Sequence, residues 1–224
     1  MTRTALLTLV YARPERLRKT LQMIDASIGP RHDVHIVNNG QPIDLIEAVV
    51  SEFAVDLPIT LHHNKENRGS RERLVYGRWL ALTGYDYILT FDDDVDFGRG
   101  ALHSLYMQKR PDAIVGWKAY RFRGDYWVRE DVHPGEPAHY VGTGFAIIPS
   151  AAYRPGIILD LPMERSAADD LWLSYVANAC AGLLLTRGEI NGVSINVDGK
   201  DQYTNHIDMK REFLRELQAK GWAR

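Results

Sequence analysis

The sequence predicts an α/β fold with a mainly parallel sheet, and three observations carry that expectation. Short apolar runs at 4–10, 33–37, 59–62 and 87–91 alternate with stretches of helical periodicity up to about residue 97, the pattern of βαβ units. Each run stops abruptly in polar residues: Tyr11 to Arg13, Asn38-Asn39, Asn64 to Arg71, and Asp92 to Asp94. In open sheets of this kind ligands gather beyond the carboxyl ends of the strands. The chain has 224 residues, 45% of them hydrophobic and 25% charged, which is ample for a core and ordinary for a globular protein.

Taken in order, the apolar run 4–10 ends at Tyr11-Ala12-Arg13-Pro14, and Pro14 suits the first turn of a helix. Leu17, Leu21 and Ile24 then recur at helical spacing until Gly29-Pro30. A second strand at 33–37 is cut off by Asn38-Asn39-Gly40, a turn signal. Residues 43–53 read as a helix and 59–62 as a short third strand. The polar loop 64–71 leads into a helix reaching about Leu82, and the strand 87–91 runs straight into Asp92-Asp93-Asp94.

The second half is more mixed. Residues 113–116, 119–123 and 126–130 read as short strands, and 139–148 as a strand interrupted by Gly142 and Gly144. A helix is expected over 169–181, opened by Asp169-Asp170, and an amphipathic helix over 208–220 through Met209, Phe213, Leu214 and Leu217. With no internal repeat or long linker, the chain reads as one domain, 1–224, in which 98–224 completes 1–97.

The formal net charge of −2 and a pI near 6.4 give no sign of a global nucleic-acid-binding surface. The single cysteine, Cys180, excludes an internal disulfide; within the apolar run 176–185 it reads as a buried, inert thiol. No segment approaches the ~18 apolar residues of a membrane span, and the apolar start is too short for a signal peptide. The expectation is a soluble, cytoplasmic protein whose contact with any membrane-bound acceptor is peripheral.

Three adjacent acids at a strand end repel one another, so a fold that gathers them there usually supplies a cation or hydrogen-bond donors. A hard divalent cation held by a few carboxylates and substrate phosphates fits; a solvated acidic turn is the plain alternative. An EF-hand loop is excluded despite the alternation of Asp92, Asp94 and Asp96, because Gly98 falls one position late and His103 stands where Glu is required. Gly142-Thr143-Gly144 is too incomplete for a dinucleotide fingerprint, and there is no Walker A sequence.

In this order, the landmarks resemble those of the GT-A-fold glycosyltransferases, within which exostosin-like and small bacterial family-two-type enzymes are most similar. The features are residues 9–17, Val37-Asn38-Asn39-Gly40, Asn67-Arg68-Gly69-Ser70-Arg71, Asp92-Asp93-Asp94, Gly142-Thr143-Gly144, Ala168-Asp169-Asp170 and His206. The resemblance implies a Rossmann-type three-layer sandwich with a mainly parallel mixed sheet, a nucleotide-binding half at 1–97 and an acceptor-binding half at 98–224. It implies transfer of a sugar from a nucleotide-sugar, with a UDP-sugar foremost, to a hydroxyl of a glycan, lipid, protein or modified nucleobase.

The resemblance also assigns roles. Tyr11, Ala12, Arg13, Asn39, Asn67, Arg68, Arg71, Asp92 and Asp93 fall on the donor side, with arginine forks suited to phosphate oxygens. Asp94 would ligate Mg²⁺ or Mn²⁺, joined by His206, since manganese accepts an imidazole. Gly142, Thr143, Gly144 and Trp172 fall on the acceptor side. Asp170, with Asp169 beside it, takes the place of the general base, like-charge repulsion holding one pKa up. Each has a plainer reading: solvated helix starts for the arginines, a turn for Asn39, a surface imidazole for His206, core packing for Trp172, helix capping for the acid pair. Two rivals remain: a nucleotidyltransferase, whose glycine-rich first loop Tyr11 to Pro14 lacks, and a non-catalytic nucleotide- or sugar-binding module of the same fold.

Overall fold

Thr4–Val10 forms β1, buried along its whole length, and one 3₁₀ turn at Pro14–Arg16 leads into α1 (Leu17–Asp25), which buries Leu17, Leu21 and Ile24. The computed structural model describes residues 2–11, 13–196 and 206–223. β2 (Asp33–Asn39), α2 (Ile43–Ser51), β3 (Ile59–Asn64), α3 (Glu72–Leu82) and β4 (Tyr87–Phe91) follow in the predicted alternation. Both β2 and β3 outrun their apolar stretches, because Asn38 pairs with His63 and Asn39 with Asn64 in the ladder. Backbone pairing there continues through polar side chains.

The chain then adds β5 (Val95–Phe97), α4 (Ala101–Met107), β6 (Ala113–Gly116), β7 (Ala119–Phe122), β8 (Arg129–Asp131), β9 (Tyr140–Val141) and β10 (Phe145–Pro149). After short 3₁₀ turns come α5 (Asp169–Tyr175), β11 (Leu184–Arg187), β12 (Val193–Ile195) and α6 (Ile207–Ala219). The main sheet has seven strands in the order β11-β6-β10-β4-β1-β2-β3. Strands β1 to β4 are parallel; β10 is antiparallel to both neighbours, so β6 and β11 run with the rest.

Alternation along the central strands divides the core in two. Leu6 and Val10 of β1 face Leu17, Leu21 and Ile24 of α1, Ile46 and Val49 of α2, and Leu102 and Leu105 of α4. Ala5, Leu7 and Leu9 face Leu74 and Leu80 of α3, Leu171 of α5, and Phe213 and Leu217 of α6. This is a helix–sheet–helix sandwich of the Rossmann-like α/β class, and strands from both halves of the chain share its sheet.

Three expectations are corrected. The interrupted strand 139–148 is two strands: β9 belongs to a small antiparallel sheet, β8-β7-β9, and β10 to the main one, with Gly142 to Gly144 as the crossing. The strand expected at 126–130 begins only at Arg129, because Gly124 at φ 96° and an Asp125 carboxylate accepting the Trp127 N–H (2.9 Å) turn the chain first. The helix from Asp169 gives way at Val176–Cys180 to a π turn, which leaves Cys180 exposed rather than buried. Among the described residues no helix is long and apolar enough to cross a membrane.

Candidate active site

The carboxyl ends of β1, β2, β3 and β4 lie along one edge of the sheet, and the antiparallel start of β10 joins them there, Phe145 opposite Phe91. At this edge the chain turns sharply through residues 92–94 into β5. The turn is gripped from α1: Arg16 donates from Nε to the Asp93 carbonyl (2.8 Å) and from Nη2 to Asp96 (2.6 Å), and Lys19 also reaches Asp96 (2.7 Å). Arg13, 7% exposed, pairs with Asp93 at 3.4 Å. The Tyr11 backbone N–H also bonds Asp93; burial and the Asp92 charge still hold that carboxyl above its usual range.

The three acids therefore differ in state. Asp92 is paired to Arg73, a residue of α3 only 4% exposed that the sequence reading passed over. The same guanidinium donates to the Thr143 hydroxyl and, at 2.9 Å, to Asp169. Burial opposes its charge, yet Asp92 and Asp169 outweigh burial and hold the guanidinium above its ordinary value. Among the described residues Asp94 has no such partner. Burial first, then the Asp92 charge, push its carboxyl up to about 6 against the pull of Arg13. The donor set fits a hard cation: a half-buried carboxylate beside two others, only partly offset by Arg13, gains from positive charge. Among the described residues no three His, Cys, Asp or Glu side chains converge on a metal position, and substrate oxygens and water are ordinary ligands of a hard ion.

Gly144 is required by the close approach of Asp92. A Cβ there would lie 2.6 Å from the Asp92 carboxylate, and the Gly144 carbonyl accepts the Asp92 N–H at 3.0 Å. Thr143 contributes its carbonyl to Thr90 (2.7 Å) and its hydroxyl to Arg73, and the Gly142 N–H bonds the Lys118 carbonyl (3.0 Å). The 142–144 crossing thus sits against Asp92 and Arg73.

Asn39 is 1% exposed and uses its full hydrogen-bonding capacity on the loop after β3. Its amide donates to Asn67 Oδ1 (3.0 Å) and the Gly69 carbonyl (3.1 Å), and its oxygen accepts from Asn64 (3.2 Å) and the Arg68 N–H (3.1 Å). This corrects the assignment of the Asn39 side chain to donor contact: its amide is spent on fixing loop 64–69. Asn67 and Arg68 remain exposed on that loop, Arg68 leaning on Glu72 at 3.8 Å. Arg71 turns instead to the Leu159 carbonyl (3.2 Å).

The acid pair on α5 splits. Asp169 is 3% exposed, with its oxygens taken by Ser70 (2.6 Å) and Arg73; burial chiefly pushes its carboxyl up. It is therefore not placed to meet a substrate, which corrects its catalytic assignment to one of holding Arg73. Asp170 accepts from the Tyr140 hydroxyl, from Lys210 Nζ at 3.4 and 3.5 Å, and from the Leu171 N–H at 2.8 Å. Trp172 is also corrected. It is 3% exposed, donates its indole N–H to the Ile158 carbonyl (3.1 Å) and packs against Phe213 and Tyr175, so it belongs to the core. His206 stands at the N-cap position of α6 without a side-chain capping bond, half-buried, one turn before Lys210. Ala12 lies outside the described residues.

No protein-family model matches the chain, and no curated protein matches it in sequence. Its backbone is similar to crystal structures of S. aureus TarS. For TarS 1-349 in complex with UDP-GlcNAc the TM-score is 0.68 at 14% identity, covering 96% of this chain and 65% of that one. The complex with UDP gives 0.62 at 15%, covering 91% and 63%. A longer TarS chain gives 0.61 at 15%, covering 91% and 38%. This chain thus spans less than two thirds of the TarS chains it matches. At these identities the likeness shows the fold, an α/β Rossmann-like sandwich.

Proposed function

We propose that this protein is a glycosyltransferase that moves a sugar from a nucleotide-sugar, with a UDP-sugar as the leading donor, to an acceptor hydroxyl. One observation carries the reading: a half-buried Asp94 carboxylate at the carboxyl edge of β4, held above its usual range by burial and the Asp92 charge, in a fold shared with a protein crystallised with UDP and UDP-GlcNAc. Asp94 would hold Mg²⁺ or Mn²⁺, which neutralises charge on a departing diphosphate as a Lewis acid.

The chain's own residues do the rest. Arg73 draws Asp92 and Thr143 together and keeps Asp92 oriented beside the metal carboxylate. Arg16 and Arg13 fix the turn that presents Asp94. Exposed Arg68 offers a guanidinium to phosphate oxygens. Asp170, the acid of the pair not locked to Arg73, takes the proton from the acceptor hydroxyl. The acceptor oxygen bonds to the anomeric carbon as the bond from that carbon to the diphosphate oxygen breaks.

The test is a panel of nucleotide-sugars with and without Mn²⁺, scored by thermal shift and by release of free nucleoside diphosphate. A UDP-sugar should raise the melting temperature by mass action, more so with metal, and UDP should accumulate. A protein that neither gains stability from any donor nor releases diphosphate would overturn the proposal. Binding without release would leave a non-catalytic module.

A further inference from the structure

We propose that Tyr140 and Lys210 are positioning residues that hold the Asp170 carboxylate in the orientation needed to take a proton from the acceptor; the inference rests on Asp170 as the base in the reading above. Asp170 stands where three elements meet. Its own helix α5 supplies the Leu171 N–H to Oδ1, β9 supplies the Tyr140 hydroxyl to Oδ2, and α6 supplies Lys210 Nζ, which straddles both oxygens at 3.4 and 3.5 Å. Tyr140 and Lys210 are 3% and 6% exposed, so neither side chain is free to wander.

The donors are themselves braced. Tyr140 OH lies 3.5 Å from Tyr126 OH, the Tyr140 ring stacks on Phe122 at 5.8 Å, and the Lys210 ammonium sits 5.6 Å from the Tyr126 ring centroid. The guanidinium of Arg129 lies over the Tyr120, Tyr126 and Tyr140 rings, which fixes that aromatic wall. A carboxylate that must accept a proton in flight needs one face open and the others saturated. Here the Tyr140 hydroxyl, the Leu171 amide and the ammonium fix the plane of the carboxylate, while the Asp170 side chain stays 15% exposed, so an acceptor hydroxyl that displaces the long ammonium contact can reach it. The arrangement resembles the way a metal ligand is oriented by the hydrogen bonds behind it, and misplacing a positioned reacting group lowers rate.

A purely structural pin between α6 and α5 would use the same contacts, so the test separates the two. Lys210→Met, Lys210→Arg, Tyr140→Phe and Asp170→Asn, with the doubles Lys210→Met/Asp170→Asn and Tyr140→Phe/Asp170→Asn, are assayed for UDP release from UDP-GlcNAc with Mn²⁺, water serving as acceptor. Donor affinity is measured in parallel by calorimetry. Lys210→Met and Tyr140→Phe should each lower turnover by on the order of ten- to a hundred-fold, with donor affinity within about two-fold, and Lys210→Arg should recover most of the loss. In the Asp170→Asn background neither further substitution should matter, because both act through that carboxylate. Turnover near wild type in both single variants, donor affinity falling in step with turnover, or full additivity with Asp170→Asn would each overturn the inference alone. A wild-type protein that neither binds the donor nor releases UDP would overturn it together with the proposed function.

Discussion

Arg73→Met is the substitution with the clearest consequences. It removes a guanidinium that is 4% exposed and leaves Asp169, 3% exposed, without its ion pair at 2.9 Å and Asp92 without its partner. Breaking a buried pair from one side costs about 3–5 kcal/mol, because the remaining charge stays desolvated. Asp92, with its side chain 38% exposed, adds little by comparison. A total near 4 kcal/mol corresponds to a drop in melting temperature of about 12 °C for a chain of this length. The sign of the pH dependence follows from which form suffers. Arg73 stabilises only the ionised carboxylates, so the deficit should be full at pH 8 and shrink toward pH 5 as Asp169 is protonated. Urea denaturation of both proteins at the two pH values measures this. A loss below about 1 kcal/mol, or one equal at both pH values, would refute the role given to Arg73.

Other substitutions isolate single features. Asp94→Asn removes a carboxylate whose pKa the fold raises to about 6, so the variant should gain about 1 kcal/mol near neutral pH after allowance for solvent screening. That gain should vanish below about pH 4, and metal-dependent donor stabilisation should be lost; a thermal shift equal to wild type would remove Asp94 from the site. Asn39→Ala strips four hydrogen bonds from loop 64–69 and should cost about 2–3 kcal/mol, with faster amide exchange confined to that loop; unchanged exchange there would refute it. His35, pushed down to about 4 by burial and by the neighbouring His62 at 3.1 Å, is neutral in the fold. Its contribution is complete above about pH 6.5 and declines as pH falls toward 4, so wild type should lose about 2 kcal/mol more than His35→Gln between pH 7 and pH 4.5. Parallel stability curves would contradict that.

The alternation of strands and helices was legible because β1, β2, β3 and β4 are apolar enough to announce themselves, and their polar ends marked the right edge. The small sheet was harder: β8 and β9 are three and two residues long and hold together through cross-strand partners rather than local pattern. Arg73 left a trace that was not used. It occupies the stripe of α3 that also buries Gly77 and Leu80, and a charged residue on such a stripe must have an opposite charge waiting inside. Its neighbours Arg71 and Arg78 look alike in sequence, and only tertiary contact separates them.

The acid pair shows most plainly where sequence reasoning stops. Adjacent residues on a helix point about 100° apart, since a turn takes 3.6 residues, so Asp169 and Asp170 cannot share one environment. Which of them faces inward depends on the rotation of α5, set by Leu171, Trp172 and Leu173 packing into the core. That rotation turns Asp169 toward Ser70 and Arg73, and Asp170 toward Tyr140 and Lys210. The same packing that buries Trp172 therefore divides one motif into a carboxylate held by Ser70 and Arg73 and a carboxylate held by Tyr140 and Lys210, the one that the proposed mechanism uses as base.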